Sequence, residues 1–485
     1  MKFFLPVLLV VCLAGSTTSV RATDESPSPT PNIVYFLVDD LGWTDLGCYG
    51  STFYETPNID RLAASGMRFT SAYAACPVCS PTRASILTGR YPVRTSITDF
   101  ISPSGNNQPD NWKRKTPLLP APYSDRLQHS EVTIAEHLKS HGYATFFAGK
   151  WHLGPEGFFP EDQGFDFNLG GIERGGPYGG KRYFSPYGNS RLSDGPDGEH
   201  LPDRLATETV RFIEQHQEQP FLAYLSFYSV HTPLIAREDL VEKYKSKREA
   251  MGLSAEWGVE GQRKVRLVQE HAVYAGMVEA MDAAVGKVLS ALDRLHLTDR
   301  TVVVFMSDNG GLSTSEGHPT SNLPLRGGKG WMYEGGIREP MIVRAPSVTQ
   351  SGEVCDEPVT STDFFPTLLE LVGLPLAPEL HLDGESFVPL LRGKSRERDP
   401  LFWHYPHYGN QGGAPTGCIR DGDWKLIEFY EDGHVELYNI AKDISESQDV
   451  SGQYPDIAKS MKAQLARWRE ETHAVMPAEN PRWQR

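Results

Sequence analysis

The sequence predicts an α/β protein with a doubly wound, mixed but mostly parallel sheet, followed by a smaller C-terminal α+β domain. Apolar runs at residues 32–38, 220–228 and 301–306 are continuous, which is typical of strands buried on both faces of a sheet. Apolar residues recur at helical spacing between these runs, at residues 203–215 and 265–297. Strands that alternate with helices indicate a parallel sheet covered by helices on both faces.

Polar side chains follow two of these runs directly. Asp39 and Asp40 come after the first run, and Asp308 and Asn309 come after the third. Because open α/β sheets place their ligands at the carboxyl ends of strands, we expect these four side chains to lie close together. They offer hard oxygen donors, which suit calcium or magnesium, and no Cys or His spacing suits zinc. Either pair alone could instead cap a turn.

The last quarter of the chain has a different pattern. Short strand-like runs are separated by turns and precede an amphipathic helix near residues 455–471. The runs lie at residues 401–404, 418–420, 424–430 and 436–438. This order predicts a small antiparallel sheet with a helix. We therefore divide the chain into a main domain at residues 32–375 and a C-terminal domain at residues 376–485.

Composition and charge exclude several classes of protein. The chain has 485 residues, of which 39% are hydrophobic and 22% are charged, as in globular rather than disordered or fibrous proteins. Its 47 Lys and Arg against 62 Asp and Glu give a net charge of −15, which argues against a nucleic-acid-binding protein. An anionic substrate is still possible, because a few buried cations can dominate one pocket.

The N-terminus has the order of a secretory signal peptide. Lys2 precedes an apolar run at residues 3–14, and small and polar residues then lead to Ala22. The run is too short to span a bilayer as a helix. We therefore expect a signal peptide at residues 1–22, a Ser/Pro-rich spacer at residues 23–31, and export without a stable membrane span. No Asn lies in an Asn-x-Ser/Thr pattern, which favours a periplasmic or secreted bacterial protein.

The densest cluster of chemically informative residues is Cys79-Ser-Pro-Thr-Arg83, followed by Leu87-Thr-Gly-Arg90. A cysteine in a Pro-bounded turn before a helix can be a small buried apolar residue. It can also be a functional thiol, because the helix N-terminus and Arg83 both stabilise negative charge. Spacing alone leaves both interpretations open.

This cluster resembles the signature of the type I, formylglycine-dependent sulfatases, Cys/Ser-x-Pro-x-Arg followed by Thr-Gly-Arg. Other segments resemble further motifs of that family, in the same order along nearly the whole chain from Asn32 onward. They are Gly149-Lys-Trp-His-Leu-Gly154, Ser307-Asp-Asn-Gly310 and the segment from Leu325 to Pro340 that contains Gly-Lys329-Gly. The resemblance implies an alkaline-phosphatase-like fold and hydrolysis of sulfate esters, as in arylsulfatases and N-acetylgalactosamine sulfatases.

The resemblance also implies a nucleophile and a metal. In the family the signature cysteine is oxidised to formylglycine by a sulfatase-maturating enzyme, which makes Cys79 the nucleophile and that enzyme a partner. Cys76 lacks the Pro and Arg of the motif and is not expected to be modified. One calcium ion is then expected to be bound by a set of residues that includes the modified cysteine. These ligands are Asp39, Asp40, Cys79, Asp308 and Asn309.

Five further positions match family residues with catalytic roles. Arg83 is expected to hold the nucleophile and the metal site, whereas Lys150 and Lys329 bind sulfate oxygens, where negative charge develops. His152 is expected to assist the release of sulfate. His231 binds sulfate or, with Lys329, protonates the departing alcohol. A packed core histidine is the alternative interpretation for His231.

The substrate is expected to be an aryl sulfate or, as for many exported bacterial members, a sulfated carbohydrate. Residues 154–198 are rich in Gly, Pro, Tyr and Arg and predict a long surface loop suited to an anionic sugar. The candidate contacts in this loop are Arg174, Tyr178, Lys181, Arg182 and Tyr183. His404 and His407 either reach the pocket from the C-terminal domain or pack among aromatic residues.

Two other functions remain open at this point. A phosphomonoester or phosphonate hydrolase of the alkaline phosphatase superfamily would share the fold and the metal position, but it would usually use Thr or Ser with zinc and extra His ligands. A catalytically inactive, glycan-binding relative would be the second alternative. The presence of every expected catalytic position argues against it.

Overall fold

The computed structural model describes residues 1–8 and 30–483 of the chain. Most of the predicted signal peptide and nearly all of the spacer lie outside these residues. Within the described part, no helix has both the length and the apolar character needed to cross a membrane.

A nine-stranded sheet forms the centre of the molecule. Its strands are β1 (Asn32–Val38), β2 (Met67–Tyr73), β3 (Ala144–Gly149), β4 (Phe167–Leu169), β5 (Phe221–Ser226), β6 (Thr301–Ser307), β7 (Arg338–Arg344), β8 (Glu353–Cys355) and β9 (Val359–Thr360). The strand order is β8-β2-β7-β6-β1-β5-β3-β4, with β9 also paired to β2. Only β7 runs antiparallel to its neighbours, β2 and β6. The predicted mixed, mostly parallel sheet is therefore confirmed.

Within residues 30–483, eight helices of seven or more residues accompany the strands. They are α1 (Pro57–Ser65), α2 (Cys79–Thr88), α3 (Ile134–Ser140), α4 (Leu201–Gln215), α5 (Glu238–Ala250), α6 (Ala272–Arg294), α7 (Phe364–Leu371) and α8 (Pro455–Glu471). Three further helices have only four residues, at Pro92–Thr95, Glu334–Ile337 and Val388–Leu391.

Alternate side chains of β1 enter two different cores. Val34 and Phe36 pack with residues of α1, α4, α5 and α6 on one face of the sheet. Ile33 and Tyr35 pack with residues of α2, α3 and α7 on the other face. Burial on both faces explains why β1 is continuously apolar in sequence. The doubly wound architecture is confirmed by this arrangement.

One predicted helix is too long. The periodicity at residues 265–297 predicted a single helix, but α6 begins only at Ala272, where the His271 side chain accepts a hydrogen bond from the Tyr274 amide. The preceding residues, Arg263–Arg266, form a hairpin with Trp257–Glu260. Cross-strand backbone pairing satisfies their polar groups, so the apolar residues there do not continue the helix.

The C-terminal elements occur as predicted. Strands β10 (Leu401–Tyr405), β11 (Thr416–Asp421), β12 (Trp424–Phe429) and β13 (Val435–Asn439) form an antiparallel sheet, which packs against α8. The boundary at residue 375 stays a prediction. Phe387, Leu390 and Leu391 follow it in sequence and pack into the core that contains Ile33 and Tyr35.

A buried network of charges joins this small sheet to the main domain. The Lys425 ammonium on β12 lies 2.9 Å from Glu334 Oε1 and 2.8 Å from Glu446 Oε1, and all three side chains are fully buried. Glu334 Oε2 also accepts a hydrogen bond from Tyr73 OH at 2.7 Å and is 3.1 Å from Arg338 Nη1. Burial by itself would raise the pKa of Glu334, but Lys425 and Arg338 bring it down to about 2.

Replacing Lys425 with Met should therefore destabilise the protein. The change leaves the buried Glu446 without a cation and Glu334 with Arg338 alone, and loss of one partner of a buried ion pair typically costs about 3–5 kcal/mol in the free energy of unfolding. Urea unfolding followed by tryptophan fluorescence measures the effect. Lys462→Met, which removes a 40% exposed lysine paired with Glu428, serves as the control and should cost less than about 1 kcal/mol. Equal stability of the two variants would contradict the importance of the network.

Candidate active site

The carboxyl ends of the central strands place the predicted site residues together. Asp39 and Asp40 follow β1, Asp308 and Asn309 follow β6, and Lys150 follows β3, which β5 separates from β1 in the sheet. The backbone turns sharply at this edge. Gly149 has a φ of 102°, and a Cβ atom there would lie 1.8 Å from Ser226 O, so only glycine lets Lys150 N donate to that carbonyl at 2.8 Å.

Cys79 is the first residue of α2, and its thiol borders a cavity of 220 Å³. Helix α2 is buried along its whole length, so the thiol is fixed at the helix N-terminus beneath the cavity. Burial raises the pKa of the Cys79 thiol to about 12, although Lys150 and Lys329 act in the opposite direction. The unmodified side chain is therefore a neutral thiol.

Arg83 lies one turn further along α2 and connects four strand ends. Its Nε donates to Asp308 Oδ2 at 2.8 Å, and its Nη1 donates to Lys150 O at 2.8 Å and Ser226 Oγ at 2.7 Å. Its Nη2 lies 2.6 Å from Asp308 Oδ2 and 3.8 Å from Asp39 Oδ1. The guanidinium thus fixes the helix that carries Cys79 to the sheet.

Two lysines neutralise the carboxylates that follow β1. Lys150 Nζ lies 2.7 Å from Asp39 Oδ2, and Lys329 Nζ lies 2.6 Å from Asp40 Oδ1. Burial would raise the pKa of Asp40, but Lys329, His231 and Lys150 hold it below its usual range. Burial raises the pKa of Asp39, and the neighbouring Asp308 and Asp40 add to that rise against the effect of Lys150. The charged form of Asp39 is therefore less well stabilised than that of Asp40.

The oxygen atoms of this cluster fit a hard divalent cation. Asp39 Oδ1 and Asn309 Oδ1 are buried and accept no hydrogen bond from any described residue. Asn309 Nδ2 donates to Asp40 Oδ1 at 2.8 Å, which leaves the amide oxygen free to bind a metal. Ligand atoms of Asp39, Asp40, Cys79 and His231 all lie within 4.8 Å of one another. The oxygen donors of Asp39, Asp40, Asp308 and Asn309 are of the kind that calcium or magnesium prefers, whereas the Cys79 thiol and the His231 imidazole are donors that zinc also accepts.

Two histidines border the cavity in defined tautomers. His152 Nε2 lies 2.8 Å from Ile101 O, a pure acceptor, so Nε2 carries the proton and the buried, unpartnered Nδ1 has the lone pair. Burial and Lys150 hold the pKa of His152 well below its usual value. His231 Nδ1 donates to Thr232 O at 2.7 Å, while its Nε2 lies 3.7 Å from Asp40 Oδ2. Burial, together with Lys329, lowers the pKa of His231 to about 4.

The structure divides the predicted residues into two layers. Four side chains border the cavity, namely Cys79, His152, His231 and Lys329. Lys150, Arg83 and the four oxygen-donor residues lie buried beneath them. Arg174 and Tyr178 of the loop at residues 154–198 also border the cavity, whereas Lys181 pairs with Asp197 and the buried Tyr183 donates to His231 O. Arg182 is exposed and does not border the cavity.

His404 and His407 pack inside the protein. His404 Nδ1 lies 2.7 Å from Tyr430 OH, and His407 Nε2 lies 2.9 Å from Thr98 Oγ1. Neither borders the cavity. The interpretation as packed side chains is the one that the structure supports.

Several cavity residues were not anticipated from sequence. They are Phe100, Ile101, Pro103, Glu316, Asn410 and Gln411. Asn410 and Gln411 come from the loop between β10 and β11, more than 300 residues from Cys79, and no local pattern distinguishes them from ordinary loop residues. Glu316 is distinguished by its backbone conformation, a φ of 52°, which the sequence does not reveal.

Comparison with known proteins identifies the family. The profile of the sulfatase family matches residues 31–374, and that of the N-sulphoglucosamine sulphohydrolase C-terminal region matches residues 328–471. A sulfatase of Formosa agariphila is 32% identical, with alignment over 96% of this chain and 94% of that protein. Human steryl-sulfatase is 33% identical over 77% of this chain and 72% of its own length.

A solved structure shares the fold over nearly the whole chain. The crystal structure of Ps i-CgsB in complex with k-i-k-neocarrahexaose superposes with a TM-score of 0.74, at 28% identity and with 94% of each chain covered. The sulfatase relatives favour sulfate-ester hydrolysis over the phosphomonoester and phosphonate alternatives. The chain belongs to the sulfatase family and is a sulfuric ester hydrolase.

Proposed function

We propose that this sulfatase hydrolyses a sulfate ester of a carbohydrate, with formylglycine at position 79 as nucleophile and one calcium ion in the oxygen-donor cluster. The observation that carries the proposal is the position of Cys79 at the cavity wall, beside Lys329, His152 and His231 and above the buried carboxylates. The hydrated aldehyde of formylglycine would supply one hydroxyl to attack sulfur and a second through which sulfate is released.

The charge balance of the site supports a metal and an anionic substrate. Asp39, Asp40 and Asp308 oppose Arg83, Lys150 and Lys329, so the six buried side chains nearly cancel one another. A calcium ion held by Asp39, Asp40, Asp308, Asn309 and residue 79 would leave the site positive and would polarise a sulfate oxygen. A positive, buried pocket attracts the negatively charged ester.

The side chains at the cavity have distinct proposed tasks. Lys329 reaches the cavity with its ammonium and can donate a hydrogen bond to the sulfate group or to the departing oxygen. His231 shares that region through its contact with Asp40. His152 offers the lone pair of Nδ1 and can accept a proton from residue 79 when sulfate is released. Arg83 and Lys150 hold these groups in place from below.

The walls of the cavity combine polar side chains with the apolar side chains of Phe100, Ile101 and Pro103. Arg174, Glu316, Asn410 and Gln411 supply charged and amide groups, and the half-exposed ring of Tyr178 supplies an apolar face. Such a mixture suits the hydroxyl groups and the C–H face of a sugar ring. We also propose that residues 1–22 direct export and that a maturating enzyme oxidises Cys79. Mass spectrometry of the mature N-terminus and of the peptide containing residue 79 tests both steps.

Changing Cys79 to Ala should abolish turnover without unfolding the protein. The side chain supplies the nucleophile, so we expect the rate to fall by at least about 1,000-fold. Cys79→Ser should fail as well, since a single hydroxyl cannot form a geminal diol. The assay uses enzyme co-expressed with a maturating enzyme and 4-nitrophenyl sulfate, and Cys76→Ala serves as the matched cysteine control. Substantial activity of Cys79→Ala would show that the nucleophile is assigned wrongly.

Replacing Asp39 with Asn should weaken calcium binding. The variant removes an anionic ligand from a site whose charge must balance a divalent ion, so both bound metal and activity should fall. Metal analysis and the calcium-induced rise in melting temperature measure binding independently of turnover. Asp203→Asn, at an exposed carboxylate paired with Lys287, should retain normal calcium content. Stoichiometric zinc without calcium in the wild type would contradict the proposed metal.

Lys329→Ala should damage the hydrolysis of sugar sulfates more than that of aryl sulfates. Loss of one preorganised donor typically costs about 100- to 1,000-fold in rate, and a sugar alcohol needs a proton that a phenol leaving group hardly requires. The decrease should lie in kcat. His231→Ala should lower both rates alike, because His231 Nδ1 donates to Thr232 O and Nε2 then has no proton for the departing alcohol. Lys181→Ala, in the exposed loop, should leave both rates unchanged. Equal losses on the two substrates would mean that Lys329 only binds sulfate.

A further inference from the structure

Glu316 forms part of the cavity wall together with two amides from the C-terminal region. Its Oε1 accepts hydrogen bonds from Asn410 Nδ2 at 3.0 Å and from Gln411 Nε2 at 2.8 Å. Its Oε2 has only a long contact with Thr232 Oγ1, at 3.4 Å. The hydrogen bonds to Oε1 therefore orient the Glu316 carboxylate, and Oε2 can accept further hydrogen bonds.

The backbone of Glu316 is in an unfavourable conformation. Its φ of 52° lies in the left-handed region, which a glutamate rarely adopts. Asp40 and His152, two residues of the site, share this feature, with φ values of 62° and 61°. Seven other non-glycine residues of the described part of the chain have a positive φ and lie outside the cavity wall, so this conformation indicates only that the surrounding structure fixes the Glu316 backbone.

The loop that orients Glu316 is itself held firmly. Gln411 is 3% exposed, and its carbonyl accepts hydrogen bonds from Thr314 Oγ1 at 3.1 Å and Trp331 Nε1 at 3.2 Å. The Gly409 amide donates to Gly413 O across the turn. The Gln411 side chain that contacts Glu316 is therefore fixed before a substrate arrives, which limits the entropy lost on binding, whereas Asn410 is exposed.

We propose that Glu316 accepts hydrogen bonds from free hydroxyl groups of the sulfated sugar and thereby selects sugar sulfates over aryl and steryl sulfates. The inference rests on the proposed function and specifies its substrate class. A carboxylate can only accept, so it pairs with sugar hydroxyls and repels a second anionic group at that position. A site that binds a substrate hydroxyl discriminates strongly against a substrate without one. In that case the carboxylate of the site gives up its hydrogen bonds to water and gains none from the substrate.

The test compares Glu316→Gln and Glu316→Ala on two substrates. These are 4-nitrophenyl sulfate and the sulfated monosaccharide that the wild type cleaves fastest in a panel. On the sugar sulfate, KM should rise by about 10- to 100-fold in Glu316→Ala and by less in Glu316→Gln, with a smaller change in kcat. On the aryl sulfate, the change in kcat/KM should be smaller and similar in the two variants, because both remove the charge that acts on Lys329 and His231 and neither removes a contact with a sugar hydroxyl. Glu156→Gln, at a carboxylate that is 83% exposed outside the cavity, is the matched control.

If the Glu316 variants do not accumulate as folded protein, a second measurement tests the same role. Asn410→Ala combined with Gln411→Ala frees Glu316 from its donors and should raise KM for the sugar sulfate selectively. Equal losses on both substrates, or an unchanged KM for the sugar, would overturn the role of Glu316. A wild type that cleaves aryl sulfates but no sugar sulfate would overturn the proposed substrate class. A wild type inert on all sulfate esters would overturn the proposed function itself.

Discussion

The buried guanidinium of Arg83 fixes the strand ends that carry the charged residues of the candidate site. It contacts the residues that follow β6, β1 and β3 and the last residue of β5, which are four adjacent parallel strands of the sheet. Because the guanidinium is planar and permanently charged, it holds these strand ends in one arrangement. The same side chain belongs to α2, so the arrangement that fixes the carboxylates also fixes Cys79 at the cavity wall.

Burying so many charges requires that they compensate one another. Asp308 is paired with Arg83, Asp39 with Lys150 and Asp40 with Lys329, in each case at hydrogen-bonding distance. Isolated charges at these depths would be strongly destabilising, whereas a compensated set tolerates burial and provides a preorganised electrostatic field. The unsatisfied oxygens of Asp39 and Asn309 are the exception. Their donor chemistry is what links this network to a hard metal ion.

Reaction and specificity come from different parts of the chain. Most residues proposed to act on sulfate lie at or soon after the ends of the central strands or start α2, and Lys329 is held to them from the loop between β6 and β7 by its pairing with Asp40. The residues proposed to contact the sugar lie on loops, and two of them, Asn410 and Gln411, join strands of the small C-terminal sheet. The Lys425 network fixes that sheet to the main domain. Loop residues can therefore change with the substrate while the sheet edge keeps its geometry.

The sequence by itself determined the α/β class, the strands β1 and β6 and the polar residues after them, because buried strands and their ends leave local patterns. It also determined Cys79 as the candidate nucleophile, through a motif that is contiguous in the chain. It did not determine where α6 begins, because the apolar residues Val265 and Val268 have helical spacing. In the structure, residues Arg263–Arg266 pair with a neighbouring strand instead. It could not choose between the two interpretations of His404 and His407, whose packing depends on partners distant in sequence. Only the tertiary structure brought Glu316, Asn410 and Gln411 to Cys79, because a contact between loops far apart in sequence leaves no periodic or contiguous trace in the chain.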